Sequence, residues 1–189
     1  MYTPFSNSKF VTRQQVVEYA KKKIKSDPVY LDTETTGLES TDEIIEIAII
    51  NSSGEVIYES FVRPQKTIPA SATAINNITN AMVANSPSWA EIWPTVRNLL
   101  LNHPIGMYNA EFDIRMILQS LEINKIPNIT KLSAFDIMKV YSDYMRSDRR
   151  FRLEQAGRNL GIVIPNSHRA ADDTLLTRAI FHSIAGVPY

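Results

Sequence analysis

The run Ile44-Ile-Glu-Ile-Ala-Ile-Ile50 constrains this chain more than any other segment. It is apolar on both alternating faces, interrupted by Glu46. A strand of that kind needs apolar cover on both sides, so it reads as a central strand of a sheet. Asn51-Ser-Ser-Gly54 then reads as a turn, and Val56–Val62 as a strand that returns in a hairpin. A hairpin has no place in a wholly parallel sheet, so the sheet is expected to be mixed.

The segments around it alternate between the two periodicities. Thr12 and Gln15 form a capping box ahead of Val16, Val17, Ala20 and Ile24 at helical spacing, and Lys21, Lys22, Lys23 and Lys25 fall in the last turns of that helix. Asp27-Pro28 breaks it, and Val29–Leu31 enters a short strand. Residues 64–87 read as polar, with short helical turns at most. Trp89, Ile92, Trp93, Val96, Leu99 and Leu100 repeat helically around Pro94, so that helix either starts near Pro94 or kinks there. A short strand follows at Ile105–Tyr108, then a helix capped by Asn109. Ala134–Ile137 reads as another short strand leading into a helix through Tyr144. Helices at Leu153–Leu160 and Asp172–Ile184 end at Gly161 and Gly186. The order defines an α/β fold.

Composition narrows the function classes. A chain of 189 residues suits one domain, burying about 70% of its unfolded surface. With no cysteine, disulfide scaffolds, cysteine-based zinc sites and thiol catalysis are excluded. No apolar run approaches the roughly 18 residues of a membrane span, and the polar start lacks the layout of a signal peptide. A cytoplasmic protein with no membrane partner is expected. Twenty basic and twenty acidic residues cancel, which argues against gripping duplex DNA by a basic face alone.

Three clusters carry chemistry. In Leu31-Asp-Thr-Glu-Thr-Thr-Gly-Leu38 the strand alternation puts Asp32 and Glu34 on one face. Two adjacent carboxylates repel unless a cation lies between them, and hard oxygen ligands suit Mg²⁺ or Mn²⁺. Solvated acids in a turn fit this segment alone equally well. In Tyr108-Asn-Ala-Glu-Phe-Asp113, Asn109 and Asp113 also suit simple helix capping. In His168-Arg-Ala-Ala-Asp-Asp-Thr174, His168 and Asp173 would not share a face of one helix, but converge if His168 sits on the preceding loop. His103 and His182 have no carboxylate neighbours in sequence and read as structural.

Together, and in this order, the clusters resemble the histidine-bearing branch of the DEDD superfamily of 3′–5′ exonucleases, to which the proofreading epsilon subunit of bacterial DNA polymerase III belongs. The resemblance spans roughly residues 28–185. It implies a ribonuclease-H-like fold, a mixed five-stranded sheet flanked by helices, with residues 28–189 as the exonuclease domain and 1–27 as an N-terminal extension carrying a helix. It assigns Asp32, Glu34, Asp113 and Asp173 as the four acids and His168 as the general base. Thr35, Thr36, Gly37 and Leu38 match the segment that receives the 3′-terminal nucleotide, with Leu38 as an apolar wedge. Asn109 and Phe112 match residues that shape the site. Asp172, adjacent to Asp173, is left as a capping or solvated acid.

Where many relatives carry His-Gly-Ile-Thr near the substrate, this chain has Ile75-Asn-Asn-Ile-Thr79, so Asn76 supplies hydrogen bonds without a titratable group. Arg146, Arg149, Arg150 and Arg152, with Tyr141 and Tyr144, form a further basic and aromatic group suited to a single strand.

The implied reaction is phosphodiester hydrolysis. Two divalent cations about 3.5–4 Å apart can clamp attacking and leaving oxygens. Asp32 would bridge them, Glu34 and Asp173 would serve the nucleophile side, and Asp113 the other. His168 would take a proton from water near neutral pH. The expected substrate is a single-stranded or frayed 3′ end, DNA favoured over RNA, with a polymerase as a candidate partner and a free-standing enzyme favoured. An exoribonuclease, an internally cutting two-metal nuclease and a catalytically silent binding module are the alternatives.

Overall fold

The computed structural model describes residues 10, 12–127, 131–162 and 169–189. In chain order the elements are α1 (Arg13–Ile24), β1 (Val29–Thr35), β2 (Ile44–Ile50), β3 (Val56–Phe61), α2 (Ala70–Asn76), α3 (Asn80–Val83), α4 (Trp89–Leu101), β4 (Ile105–Met107), α5 (Ala110–Ile123), β5 (Ala134–Asp136), α6 (Ile137–Tyr144), α7 (Leu153–Asn159) and α8 (Ala170–Ala185). The five strands form one sheet in the order β3-β2-β1-β4-β5. β2 is antiparallel to β1 and β3, whereas β4 is parallel to β1 and β5. This is the mixed five-stranded sheet the sequence implies. β2 is buried along its whole length, but the middle position belongs to β1, which runs on to Thr35.

Alternation along the strands sorts their side chains into two layers. On one face Tyr30, Ile50 and Phe135 pack against α1, α6, α7 and α8. On the other, Leu31, Ile47, Ile49 and Ile105 pack against α4 and α5. A smaller cluster of Ile45, Ile68, Ala72, Ile78 and Val83 closes the space under α2 and α3. The Thr12–Gln15 capping box is present, and Val16 and Ala20 are fully buried. α1 thereby packs on α6 and α8 as part of the same core as the strands.

Several elements differ locally from the sequence expectation. α4 begins at Trp89 behind a Ser88–Glu91 capping box and runs through Pro94. It therefore does not start at the proline, whose ring removes one N–H from the helical ladder. Asn109 precedes α5 but makes no side-chain cap, standing instead in the left-handed region at φ 67°. His103 does have a carboxylate neighbour. Its Nδ1 lies 3.7 Å from Asp27, a contact made by folding and not by sequence adjacency.

α8 runs along the sheet antiparallel to β1. Near its end, buried His182 meets the Tyr30 hydroxyl at 3.1 Å and the Pro188 carbonyl at 2.8 Å. Midway, Arg178 donates to the Ser52 carbonyl from Nε at 3.0 Å and Nη2 at 2.8 Å. At its start Arg169 pairs with Glu46. Burial lowers the pKa of His182, which keeps the imidazole neutral as a structural group. No helix among the described residues is long and apolar enough to cross a membrane.

Gly106 of β4 marks a close approach beside β1. A Cβ there would meet Tyr30 at 2.8 Å, Phe135 at 2.9 Å and Ile137 at 3.0 Å. Gly106→Ala should therefore overpack the core and cost about 1–3 kcal/mol, read as a lower denaturant midpoint with unchanged slope. An unchanged midpoint would mean that the three side chains yield freely.

Candidate active site

β1 carries Asp32 and Glu34 toward the α8 layer, and the first turn of α8 carries Asp173 toward them. One carboxylate oxygen from each of Asp32, Glu34 and Asp173 lies within 4.8 Å of the others. β1 and β2 slip register between Glu34 and Thr35, a bulge that ends regular pairing where the acids gather.

This crowding is electrostatically costly. Burial pushes the Asp32 carboxyl well above its ordinary range, and the charges of Asp113, Asp173, Glu34 and Glu46 push it further. Glu34 is pushed up to about 7, by burial first and then by Asp173 and Glu46, while a hydrogen bond from Asn76 opposes the shift. Hard oxygens held this close, and raised by burial and then by one another, fit a divalent cation.

Asp113 reaches the site from the opposite layer. It sits buried in the first turn of α5, and its Oδ1 accepts the Thr33 hydroxyl at 2.8 Å. Thr33 lies between Asp32 and Glu34 and faces α5 because the strand alternates. Burial raises Asp113 to about 7 against the Thr33 and backbone hydrogen bonds that lower it. Asp113 is not among the three acids grouped within 4.8 Å, yet its charge acts on Asp32.

The segment after β1 is built as a rigid loop. Thr35 Oγ1 donates to the Gly37 carbonyl at 2.8 Å, and Thr36 Oγ1 to Asp42 at 2.8 Å. Asp42 also accepts the Glu39 N–H at 2.7 Å. A Cβ on Gly37 would collide with the Asp42 carboxylate and displace it from Thr36 and Glu39. From α5, Arg115 donates to the Leu38 carbonyl at 3.1 Å and Gln119 to the Glu39 carbonyl at 2.9 Å. With its backbone pinned, Leu38 presents a side chain that is 71% exposed. Asn76 is buried. Its amide donates to the Thr35 carbonyl at 3.2 Å and its oxygen accepts the Ile78 N–H at 3.0 Å, so it braces the end of β1. Phe112 is partly buried, with the Arg115 guanidinium 5.3 Å from its ring centroid.

His168 lies outside the described residues. The arginine group divides. Arg146 donates to the Phe10 carbonyl at 2.9 Å, and Arg149 stacks 5.8 Å over Phe151. Arg13, from α1, covers the Tyr144 ring at 4.2 Å. Arg150 and Arg152 are exposed. They flank Phe151, whose carbonyl accepts the Tyr108 hydroxyl at 2.9 Å beside the end of β4.

Sequence reasoning missed Thr33, Arg115, Gln119 and the Glu46–Arg169 pair. A signal existed for Glu46 alone. A carboxylate inside an apolar run needs a partner, and that partner lies 123 residues away.

A five-stranded mixed sheet that gathers carboxylates at the end of its middle strand is the architecture of a ribonuclease-H-like nuclease. The model of the RNase_T exonuclease family matches residues 29–181, and the chain belongs to that family. The uncharacterized exonuclease CP81 of Escherichia phage 186 is 34% identical over 188 residues, covering 93% of this chain and 96% of that protein. The PolC-type DNA polymerase III of Clostridium perfringens (strain 13 / Type A) is 30% identical over 170 residues, which are 87% of this chain and 12% of the polymerase. Among solved structures, exonuclease X in complex with 5′ overhanging duplex DNA aligns with a TM-score of 0.64 and 25% identity, over 84% of this chain and 90% of that one. The chain is a nuclease hydrolase of the DEDD exonucleases, as the three motifs implied.

Proposed function

We propose that the chain is a 3′–5′ exonuclease that removes nucleotides from single-stranded or frayed DNA 3′ ends in the cytoplasm, using divalent cations. The observation that carries this reading is the convergence of Asp32, Glu34 and Asp173 from two elements far apart in sequence. These acids would hold Mg²⁺ or Mn²⁺, with Asp113, set by Thr33, serving a second ion. When bound, such ions neutralise phosphate charge and lower the pKa of water. His168 takes the proton as water attacks phosphorus. The bond from phosphorus to the penultimate nucleotide's O3′ breaks, and a 5′-mononucleotide leaves. Leu38, projecting from the pinned turn of Thr35, Thr36 and Gly37, meets the terminal base. Asn109 and Phe112 line the approach, and Asn76 steadies the strand end beneath it.

DNA is favoured over RNA by the duplex DNA in the exonuclease X complex and by the polymerase relative. The same relative supports association with a polymerase.

The test is a 5′-labelled DNA oligomer and its RNA twin, each with Mg²⁺ and with EDTA. A ladder shortening from the 3′ end, faster on DNA and absent in EDTA, is expected. Cleavage of a circular single strand would contradict an exonuclease. His168→Ala should lose most of the rate, about 10²–10⁴-fold. Wild-type activity should fall on acidification, because neutral His168 accepts the proton and the acids must be ionised. Near-normal Mg²⁺-dependent activity in the variant would remove His168 from the mechanism.

A further inference from the structure

Glu46 is 1% exposed in the middle of β2, where an isolated carboxylate would be severely penalised. It is compensated from one place, the start of α8. Arg169 Nε lies 3.0 Å and 3.2 Å from its two oxygens, and Nη2 lies 2.6 Å from Oε1. The Ala170 N–H donates to Oε2 at 3.1 Å. Arg169 is the N-cap residue of α8, and its own side chain makes no cap bond. The cap is supplied in trans by Glu46, which satisfies an N–H that the helix leaves orphaned. The guanidinium also lies 5.2 Å from the Phe61 ring, and Phe61 is the cross-strand partner of Glu46 on β3.

This clamp connects directly to the acids. The Asp173 N–H donates to the Arg169 carbonyl at 3.0 Å, closing the first turn. On the other side, Glu46 pairs in register with Glu34. We propose that Glu46 and Arg169 are positioning residues that hold the first turn of α8 against β1, so that Asp173 meets Asp32 and Glu34 within reach of one cation. Glu46 is not itself a ligand, since both of its oxygens are occupied by these bonds. Arg169 offsets part of the charge that Glu46 adds to the crowded acids. The inference rests on the metal reading of the site.

A buried ion pair contributes little net stability against apolar replacements of similar size. A structural role and a positioning role therefore part company in the double variant Glu46→Leu with Arg169→Leu. Its melting temperature should stay within a few degrees of wild type. Calorimetric titration with Mn²⁺ should show affinity weaker by about 10–100-fold, the size of effect found for residues that orient ligands. The kcat on a DNA oligomer should fall by a similar factor with KM little changed. If the double variant folds poorly, Glu46→Gln, which retains an acceptor for Ala170, decides by the same two measurements, with a smaller loss of affinity expected. Wild-type Mn²⁺ affinity and kcat in a folded variant would overturn the positioning role alone. Failure of the wild-type protein to bind Mn²⁺ would overturn the metal reading itself.

Discussion

Asp32→Asn is expected to cut turnover sharply while making the metal-free protein more stable. Asp32 is raised by burial and by the charges of Asp113, Asp173, Glu34 and Glu46, so at a pH where these acids are ionised a neutral amide relieves the burial cost and the repulsions together. Charge relief of this kind is worth about 0.5–2 kcal/mol. That corresponds to a rise of about 1–8 °C in melting temperature for a chain this size. The same change removes the ligand best placed between Glu34, Asp173 and Asp113. Losing several kcal/mol of transition-state charge stabilisation is a rate loss on the order of 10³-fold. Thermal melts in EDTA and the oligomer assay in Mg²⁺ read the two effects separately. A variant that is both less stable and still active would show that Asp32 is an ordinary core acid.

The second large effect is a reversal of pH dependence by metal. Glu34 and Asp113 are each pushed up to about 7, from ordinary values of 4.5 and 3.8. The folded state therefore binds more protons than the unfolded state between those values. Stability from protonation is complete below pH about 4 and is lost as pH rises through about 7. The metal-free protein should melt at lower temperature at pH 8 than at pH 5.5. A divalent cation requires the ionised carboxylates, so its affinity rises over the same window. At a cation concentration of 100 Kd the gain is about 2.7 kcal/mol, roughly 5–11 °C, and it should be greater at pH 8 than at pH 5.5. Melting curves at both pH values, with EDTA and with Mn²⁺, check this. An equal shift at both would place the metal away from these acids.

What was legible in the sequence follows the range of the forces involved. Local signals held. The Thr12–Gln15 capping box, the buried run of β2 and the glycine stops at Gly161 and Gly186 each depend on a few neighbouring residues. The alternation of Asp32 and Glu34 placed two acids on one face before any tertiary contact was known. Order and spacing of the motifs then brought Asp113 and Asp173 to the same site. What stayed hidden was long-range pairing. Thr33 finds Asp113 across 80 positions, and Arg115 finds the Leu38 carbonyl across 77. Glu46 read as an interruption because its cation stands in a different motif. Asn109 looked like a side-chain cap, since that is what asparagine does most often before a helix. Its left-handed backbone instead turns the chain sharply from β4 into α5. Asn76 read as a group offered to substrate; its bonds to the Thr35 and Ile78 backbones, and the one that lowers Glu34, lay outside that reading.

The neutral net charge takes on a different meaning beside this geometry. Acids concentrated at the end of β1 await positive charge, so the surface that meets a phosphate is completed by its cations. Binding should then be local to a strand end, with little grip on internal duplex.

The most direct measurement is calorimetric titration of the wild-type protein and Asp32→Asn with Mn²⁺ at pH 7, in two buffers of different ionisation enthalpy. Saturable binding is predicted for the wild type, with protons released from Glu34 and Asp113, and its loss is predicted in the variant. A wild-type protein that takes up no Mn²⁺, or a variant that binds it equally well, would contradict the assignment of Asp32, Glu34 and Asp173 as the metal centre.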